Sequence, residues 1–447
     1  MSEVEVAGYR GRLAEVLRRE NVEVGDEVEV ILPDGRRFAG RLMAKYENSP
    51  PDFISLKIRS GYNVGVHLPE GSRVIKLREG TAPAFRRPPP PVQDPSLPHV
   101  TIISTGGTIA SRIDYGTGAV KPALSSEDLV SLIPEITDVA HINAEILFSI
   151  FSEDMTPEMW DTIAAKVNGL IKNGVDGVVI THGTDTMHYT AAALSFVLQN
   201  PPVPVVLVGA QRSSDRPSSD AATNLIAAVS IGARAPFGEV VLSMHEGHGD
   251  DLIVVHRGTR VKKMHTSSRD AFRSVNSAPL AYYRGGELIL VERGLNPRGS
   301  DRYSFYPGFS DEAVLIKFFP PMKPDILEHY ASKGVRGIII EGTGLGHVSS
   351  SWIPTLRRII RDGIFVGMTS QCVYGRVNMN VYSNGRRLLS IGVTPLDDMI
   401  SEVALVKLMW VLRRASELDE VKGLMIRRIA GEMNDRSLPT RVSWIGD

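Results

Sequence analysis

Apolar positions are spaced in different ways along this chain. In its first eighty residues they alternate with polar ones. Glu27-Val28-Glu29-Val30, Phe38-Ala39-Gly40-Arg41-Leu42 and Phe53-Ile54-Ser55-Leu56-Lys57-Ile58 all show a period of two. Such alternation buries one face of a strand and wets the other. Pro33-Asp34-Gly35 and Gly61-Tyr62-Asn63 supply the breaks between the runs. The pattern predicts a small all-β barrel or meander over residues 1–85. Arg86-Arg87-Pro88-Pro89-Pro90-Pro91 follows, with Pro95 and Pro98 beyond it. Consecutive prolines favour an extended spacer without a packed core, so residues 86–98 are read as a linker.

From His99 onward the apolar residues come in short continuous runs separated by helical patterns. Val100-Thr101-Ile102-Ile103, Gly177-Val178-Val179-Ile180, Pro204-Val205-Val206-Leu207-Val208 and Val240-Val241-Leu242 read as strands buried on both faces. Met159 to Ile171 is amphipathic at helical spacing. Strands interleaved with helices predict an α/β fold with a parallel, doubly wound sheet. The stretch Asn296 to Phe309 is rich in Gly, Pro, Ser and Tyr and interrupts the rhythm. Val335 to Ile340 and Gly363 to Val366 restart it, and Val403 to Ala415 is helical. The expected organisation is two doubly wound α/β domains, at 99–297 and 312–447, joined by a linker at 298–311.

Composition narrows the class. At 447 residues the chain exceeds what one core usually serves. Lys+Arg at 50 against Asp+Glu at 51 leaves no overall charge to draw the chain onto nucleic acid. One cysteine, Cys372, excludes an internal disulfide and points to a reducing compartment. The N-terminus has no apolar signal segment, and no apolar run approaches membrane-spanning length. These observations predict a cytoplasmic protein with no membrane association.

Open parallel sheets place ligands at the carboxyl ends of their strands. Two hydroxyl-rich glycine turns fall there. Ser104-Thr105-Gly106-Gly107-Thr108-Ile109-Ala110-Ser111 follows one strand, and Thr181-His182-Gly183-Thr184-Asp185-Thr186 follows another. Glycines let backbone approach a substrate, and exposed N–H groups can stabilise an oxyanion. A threonine hydroxyl needs a base to attack, and Lys262 or Lys263 could supply one. Either turn alone also reads as a tight connection with a helix cap. His245-Glu246-Gly247-His248-Gly249-Asp250-Asp251 lacks the helical spacing of a metal site, so no metal is expected. Gly342-Thr343-Gly344-Leu345-Gly346 is a partial nucleotide fingerprint without an acidic ribose partner, and no P-loop is present. Arg413, Arg414, Arg427 and Arg428 read as a solvated helix face, with contact to a partner or tRNA as the other reading.

The two turns resemble the paired signatures of bacterial-type L-asparaginases. Ser152-Glu153-Asp154-Met155, Val208-Gly209-Ala210-Gln211-Arg212 and Phe272-Arg273-Ser274-Val275-Asn276 fit the same family. The resemblance covers His99 to the C-terminus and is strongest in the first α/β domain. It implies an asparaginase-like core that removes ammonia from Asn or Gln. By this resemblance Thr105 corresponds to the nucleophilic threonine of the first signature, Thr184 and Asp185 to the second threonine and its aspartate, and Lys263 to the conserved lysine, with Lys262 the second choice. Tyr115 matches a mobile-loop base, and Ser152 and Glu153, with Asp185, match the groups that hold the substrate's α-amino and α-carboxyl ends. Thr105 with Tyr115, or Thr184 with Lys263, can each be drawn as nucleophile and base. Position 153 is Glu where many asparaginases carry Gln. Residues that reach a neighbouring subunit's site are not recognisable in Leu345 to Asn384.

A barrel and a proline linker ahead of this core are similar to the architecture of the D subunits of archaeal glutamyl-tRNA(Gln) amidotransferases. That resemblance implies a glutaminase. Its ammonia would go to a separate tRNA-binding kinase and transamidase subunit of the E type, which acts on glutamate carried by tRNA(Gln). This chain would bind no cofactor, and ATP and Mg would be used by the partner. A homodimer core within a heterotetramer is implied as well. A free-standing cytoplasmic L-asparaginase is the competing expectation.

Overall fold

The computed structural model describes residues 8–45, 50–60, 63–80, 93–107, 111–113, 120–122, 133–212 and 219–437. The proline run Arg86–Pro91 and Tyr115 lie outside them.

The N-terminal unit is a five-stranded antiparallel sheet. Its strands are β1 (Glu27–Ile31), β2 (Arg37–Leu42), β3 (Phe53–Lys57), β4 (Asn63–His67) and β5 (Arg73–Arg78), in the order β4-β3-β2-β1-β5. The alternation expected from sequence is seen in β1, where Val28 and Val30 are buried between half-buried neighbours. A helix, α1 (Gly11–Arg19), packs Leu13, Ala14 and Leu17 into the same core. Period-two patterning could not reveal it, because its apolar residues repeat at helical spacing.

The next unit holds an eight-stranded sheet. Its strands are β6 (His99–Gly106), β9 (His141–Ile150), β10 (Gly177–Thr181), β12 (Val205–Val208), β13 (Val240–His245), β14 (Ile253–Arg257), β17 (Ala281–Arg284) and β18 (Glu287–Leu290), ordered β18-β17-β14-β13-β12-β10-β6-β9. The run from β13 to β9 is parallel, and β14, β17 and β18 extend it antiparallel. Short pairs decorate the sheet: β7 (Ser111–Ile113) with β8 (Val120–Pro122), and β15 (Val261–Lys263) with β16 (Phe272–Ser274). Helices α2 (Pro157–Lys172), α3 (Met187–Val197) and α4 (Ala221–Arg234) cover its faces. The local sequence explains α2. Thr156 caps its N-terminus by accepting from the Met159 N–H, Pro157 opens the first turn, and Trp160, Ile163, Ala164 and Val167 form one buried stripe. Val178, Val179 and Ile180 of β10 are fully buried because helices lie on both sides.

The C-terminal unit is a parallel sheet of β20 (Ala313–Lys317), β21 (Gly337–Gly342), β22 (Phe365–Ser370) and β23 (Thr394–Pro395). Helices α5 (Asp325–Ser332), α6 (Ile353–Arg361), α7 (Ser383–Ser390), α8 (Ser401–Leu412) and α9 (Leu418–Ile426) pack on it. Both α/β units share one hydrophobic cluster, which runs from Ile103 and Phe196 to Val403 and Trp410. Helix α8 joins α3 there, with Phe196 stacked on Trp410 at 6.1 Å between ring centroids.

The connecting stretch is tied down along its length. Arg298 donates to the carbonyls of Asp176, Gly232 and Ala235. Within it, β19 (Ser304–Phe305) pairs with β11 (Leu198–Gln199). Arg260 binds Asp398 at 3.2 Å, and the buried Lys407–Glu432 pair at 2.5 Å anchors the segment after α9. No helix among the described residues is long and apolar enough to cross a membrane.

Candidate active site

Strand register brings the two glycine turns together. Thr181 of β10 pairs with Ser104 of β6 on one side and Val208 of β12 on the other. The residues that follow each strand therefore emerge side by side at the carboxyl edge of the sheet. Gly106 and Gly107 have φ of +113° and +83°. A Cβ on Gly107 would lie 2.5 Å from the Gly183 nitrogen, and one on Gly106 would lie 2.3 Å from the Ile150 carbonyl oxygen. Only glycine permits this backbone-to-backbone packing. The turns are thus in contact, and their hydroxyl groups belong to one site.

Lys263 enters from β15. Its Nζ donates to Thr184 Oγ1 at 2.9 Å and to Asp185 Oδ1 at 2.6 Å. The lysine side chain is 9% exposed and the aspartate 69% exposed. The lysine is therefore held at the floor of the site, while the carboxylate faces outward. Its neighbour Lys262 pairs with Glu402 of α8. That ion pair separates the two candidate lysines: Lys263 reaches the threonine, and Lys262 binds the C-terminal unit.

Ser152 is buried in the turn after β9, and its carbonyl accepts from Thr186 Oγ1 at 2.6 Å. It fills the space left by Gly183, where a Cβ would lie 2.8 Å from that of Ser152. Glu153, beside it, is exposed. Gly209, after β12, packs against the methyl group of Thr184 in the same way. Four strand ends thus converge on Gly183 and Thr184.

Thr105 lies on the inner side of this junction. It is 2% exposed, and its hydroxyl donates to the Thr181 carbonyl at 2.9 Å. No base stands within hydrogen-bond reach of it among the described residues. Its expected partner Tyr115 lies outside them, as does Thr108, the turn's other hydroxyl. The hairpin of β7 and β8 brackets the Tyr115 segment.

Sequence reading passed over several residues that shape the site. His182 sits inside the second signature, fully buried, and burial pushes its imidazole down to about 4. Its Nδ1 faces the Gly183 carbonyl at 2.7 Å and its Nε2 faces Thr190 Oγ1 at 2.9 Å. Thr190 also accepts from Trp160 Nε1 at 3.0 Å. Asp220, equally buried, accepts from the backbone of Gln211 and Arg212 and from Asn224, which itself donates to the Gly209 carbonyl. No local pattern marks Asp220 or Thr190, because their partners, though mostly within nine residues, sit on other elements that only the fold brings together.

The weaker motifs have structural roles. His245 binds Asn224 Oδ1 through Nδ1 at 2.7 Å. No group of three potential metal ligands gathers among the described residues. Gly342 to Gly346 form a turn closed by Thr343 and His347. Arg414 lies 4.1 Å over the Trp410 ring and donates to the carbonyls of Pro307 and Gly308. Cys372 is exposed and free.

The units that carry this arrangement are similar to known proteins. Residues 99–294 match the family Asparaginase, N-terminal, and residues 313–425 match the Glutaminase/Asparaginase C-terminal domain. Residues 22–77 match the GatD N-terminal domain. The chain is 49% identical over 431 residues to the D subunit of glutamyl-tRNA(Gln) amidotransferase from Metallosphaera sedula, covering 96% of this chain and 97% of that one. It is 48% identical over 433 residues to the protein of the same name from Methanopyrus kandleri, covering 95% and 94%. Among solved structures, the thermostable L-asparaginase of Thermococcus kodakarensis superposes with a TM-score of 0.69 at 35% identity. It covers 75% of this chain and 99% of its own. L-asparaginase I of Vibrio cholerae gives 0.67 at 29% identity, covering 76% and 100%.

Proposed function

The chain belongs to the family of glutamyl-tRNA(Gln) amidotransferase D subunits, and from that membership we propose that Thr184 and Lys263 carry out its glutamine hydrolysis. The observation that carries the assignment is the 2.9 Å hydrogen bond from Lys263 Nζ to Thr184 Oγ1. Thr184 Oγ1 attacks the side-chain amide carbon of glutamine, and Lys263 takes the hydroxyl proton. The tetrahedral oxyanion collapses as that proton passes to the amide nitrogen, which leaves as ammonia. Water then attacks the threonine ester and releases glutamate, restoring the hydroxyl. Backbone N–H groups of the two packed turns face the developing oxyanion.

Substrate holding falls to the rim. Ser152 donates to the α-carboxylate of glutamine. The carboxylates of Glu153 and Asp185 accept from its α-ammonium group. Thr105, whose hydroxyl donates to the Thr181 carbonyl, keeps its oxygen lone pairs and is the alternative nucleophile. Tyr115, outside the described residues, is the base that the family resemblance gives to Thr105.

Ammonia made here would serve a second subunit that binds tRNA and activates the glutamate of Glu-tRNA(Gln) with ATP and Mg. This chain contributes no P-loop of its own. A homodimeric core carrying two such partners in the cytoplasm completes the reading.

The test is ammonia release from glutamine and asparagine by the purified chain, alone and with the partner subunit and glutamyl-tRNA. Glutamine turnover that rises in the complex supports the amidotransferase reading. Fast asparagine turnover by the chain alone, unchanged by the partner, would make it an asparaginase with an appended N-terminal unit.

A further inference from the structure

A cavity of about 250 Å³ lies at the amino end of the eight-stranded sheet, the end opposite the glycine turns. Its walls come from the turn between β11 and β12, the entry to β13, the end of β14, the connecting stretch around Asn296, and the segment after α9. The space is far larger than one water needs. Its charged lining is Glu239, Arg257 and Arg302. Two guanidinium groups face one carboxylate, so the lining carries one net positive charge.

Asn296 is a finished wall. Its amide donates to the carbonyls of Pro201 and Gly238, and its Oδ1 accepts from Arg302 Nη2 at 3.2 Å. Glu239 Oε1 accepts from the Asn296 backbone N–H at 3.1 Å and from Arg257 Nη2 at 3.4 Å. The second contact is long, since a charged hydrogen bond usually spans about 2.7–2.9 Å. Arg257 Nε is buried and meets no acceptor among the described residues. A buried N–H without an acceptor is costly, and an oxygen placed against it removes that cost. Nε and Nη2 form one edge of the guanidinium, the fork that grips a carboxylate by two parallel bonds. Glu239 takes only one tine of that fork, and loosely. We propose that this cavity is a binding site for a small free carboxylate, whose oxygens take the Nε–Nη2 edge of Arg257 while Arg302 supplies the remaining charge. The single net positive charge of the lining matches a monoanion.

The ligand lies where three parts of the fold meet. A Cβ on Gly431 would stand 2.4 Å from Arg257 Nη1, so the guanidinium rests on that backbone. Thr259 and Arg260 follow Arg257 and donate to the carbonyls of Ala430 and Gly431 at 2.8 and 2.9 Å. A carboxylate on Arg257 and Arg302 thus joins β14 to the connecting stretch, with the segment after α9 laid against both. Unfolding separates these parts, so the bound ligand stabilises the folded chain by mass action. The glycine turns stand at the other end of the sheet, so this carboxylate is not that of a substrate in the catalytic site.

The test follows thermal unfolding of the full chain in sodium acetate and, separately, in sodium phosphate, with sodium chloride holding ionic strength constant. Acetate is expected to raise the midpoint by about 2 °C or more along a saturating curve. General salt effects rise without saturating. Arg257→Gln and Arg302→Gln are each expected to abolish the shift. Arg257→Lys should lose most of it, because lysine keeps the charge and lacks the fork. Arg302 is exposed, so Arg302→Gln decides where Arg257→Gln does not fold. Ser152→Ala, beside the glycine turns, should leave the shift intact. A rise that never saturates, or a shift of parental size in Arg302→Gln, would overturn the site. A shift lost in Ser152→Ala and kept in Arg257→Gln would place the acetate in the catalytic site and overturn it too. A saturating, Arg302-dependent shift with phosphate and none with acetate would overturn the choice of a carboxylate.

Discussion

Gly107→Ala tests the claim that the two turns form one site by backbone contact. The added methyl would stand 2.5 Å from the Gly183 nitrogen and 2.7 Å from the His182 carbonyl carbon. Ordinary contact begins near 3.4 Å, so the turns must separate by about 0.9 Å. Two costs follow. Holding alanine at φ +83° costs about 1–2 kcal/mol, and forcing the packed backbones apart costs about 1–3 kcal/mol more. The displacement also moves Thr184 away from any oxyanion donors in the first turn. A misplacement of about 1 Å in a catalytic constellation lowers turnover about 10²-fold. Gly174→Ala is the control, since Gly174 has φ +81° and nothing within 4 Å of its would-be Cβ. It carries the backbone cost without the collision. The assay pairs thermal unfolding with steady-state ammonia release from glutamine. Gly107→Ala should lose markedly more stability than Gly174→Ala, and it alone should lose turnover. Equal destabilisation, or a Gly107→Ala enzyme within roughly threefold of parental kcat, would refute the contact as the organiser of the site.

Other outcomes follow from the same geometry. Thr184→Val and Lys263→Met should each lower glutamine turnover by about 10³-fold or more while leaving unfolding temperature nearly unchanged. Thr105→Val should lose far less, and a loss as deep as that of Thr184→Val would return the attack to the first turn. Thr108→Val, measured beside it, shows whether that turn's other hydroxyl takes part. Lys407→Met strands the buried Glu432 carboxylate and should destabilise the fold by about 3–5 kcal/mol in urea unfolding. A change below about 1 kcal/mol would mean that the backbone donors of Ile429 and Ala430 suffice for Glu432. Acid should unfold the protein through its buried histidines. Burial holds His182 and His188 down to about 4 and His256 to about 3, below the unfolded value near 6.5. Between those values the unfolded chain binds the extra protons, so stability rises with pH there. The stability tied to neutral imidazoles is fully present above about pH 6.5. It falls by about 1.4 kcal/mol per pH unit for each group as pH drops toward 4. A flat urea midpoint between pH 6 and 4.5 would contradict this.

Local pattern carried much of the architecture. Val178, Val179 and Ile180 announce a strand covered on both faces, since the apolar run is short, β-branched and ended by a polar glycine turn. The alternation around Val28 and Val30 announces the antiparallel sheet. Helix α1 escaped because its nine residues are few, and its Leu13, Ala14 and Leu17 speak only once a core exists to bury them. The stretch after Asn296 read as a linker between two α/β units from its Gly, Pro, Ser and Tyr. Arg298 ties its start to three carbonyls, which composition cannot express.

By itself the sequence determined the layered α/β fold, the two hydroxyl-rich turns at strand ends, and the threonines and lysines proposed for the chemistry. These are decided by short-range periodicity and by glycine's freedom at positive φ, which act within a few residues. The tertiary structure alone decided which of them meet. Parallel register set Thr184 beside the Gly107 turn, the β15–β16 pair aimed Lys263 at its hydroxyl, and Glu402 drew Lys262 away. Thr105, first in the motif, was turned inward onto Thr181. Lys263 and Thr184 are 79 positions apart. A contact across that distance depends on the path of the whole sheet, and no local pattern encodes it.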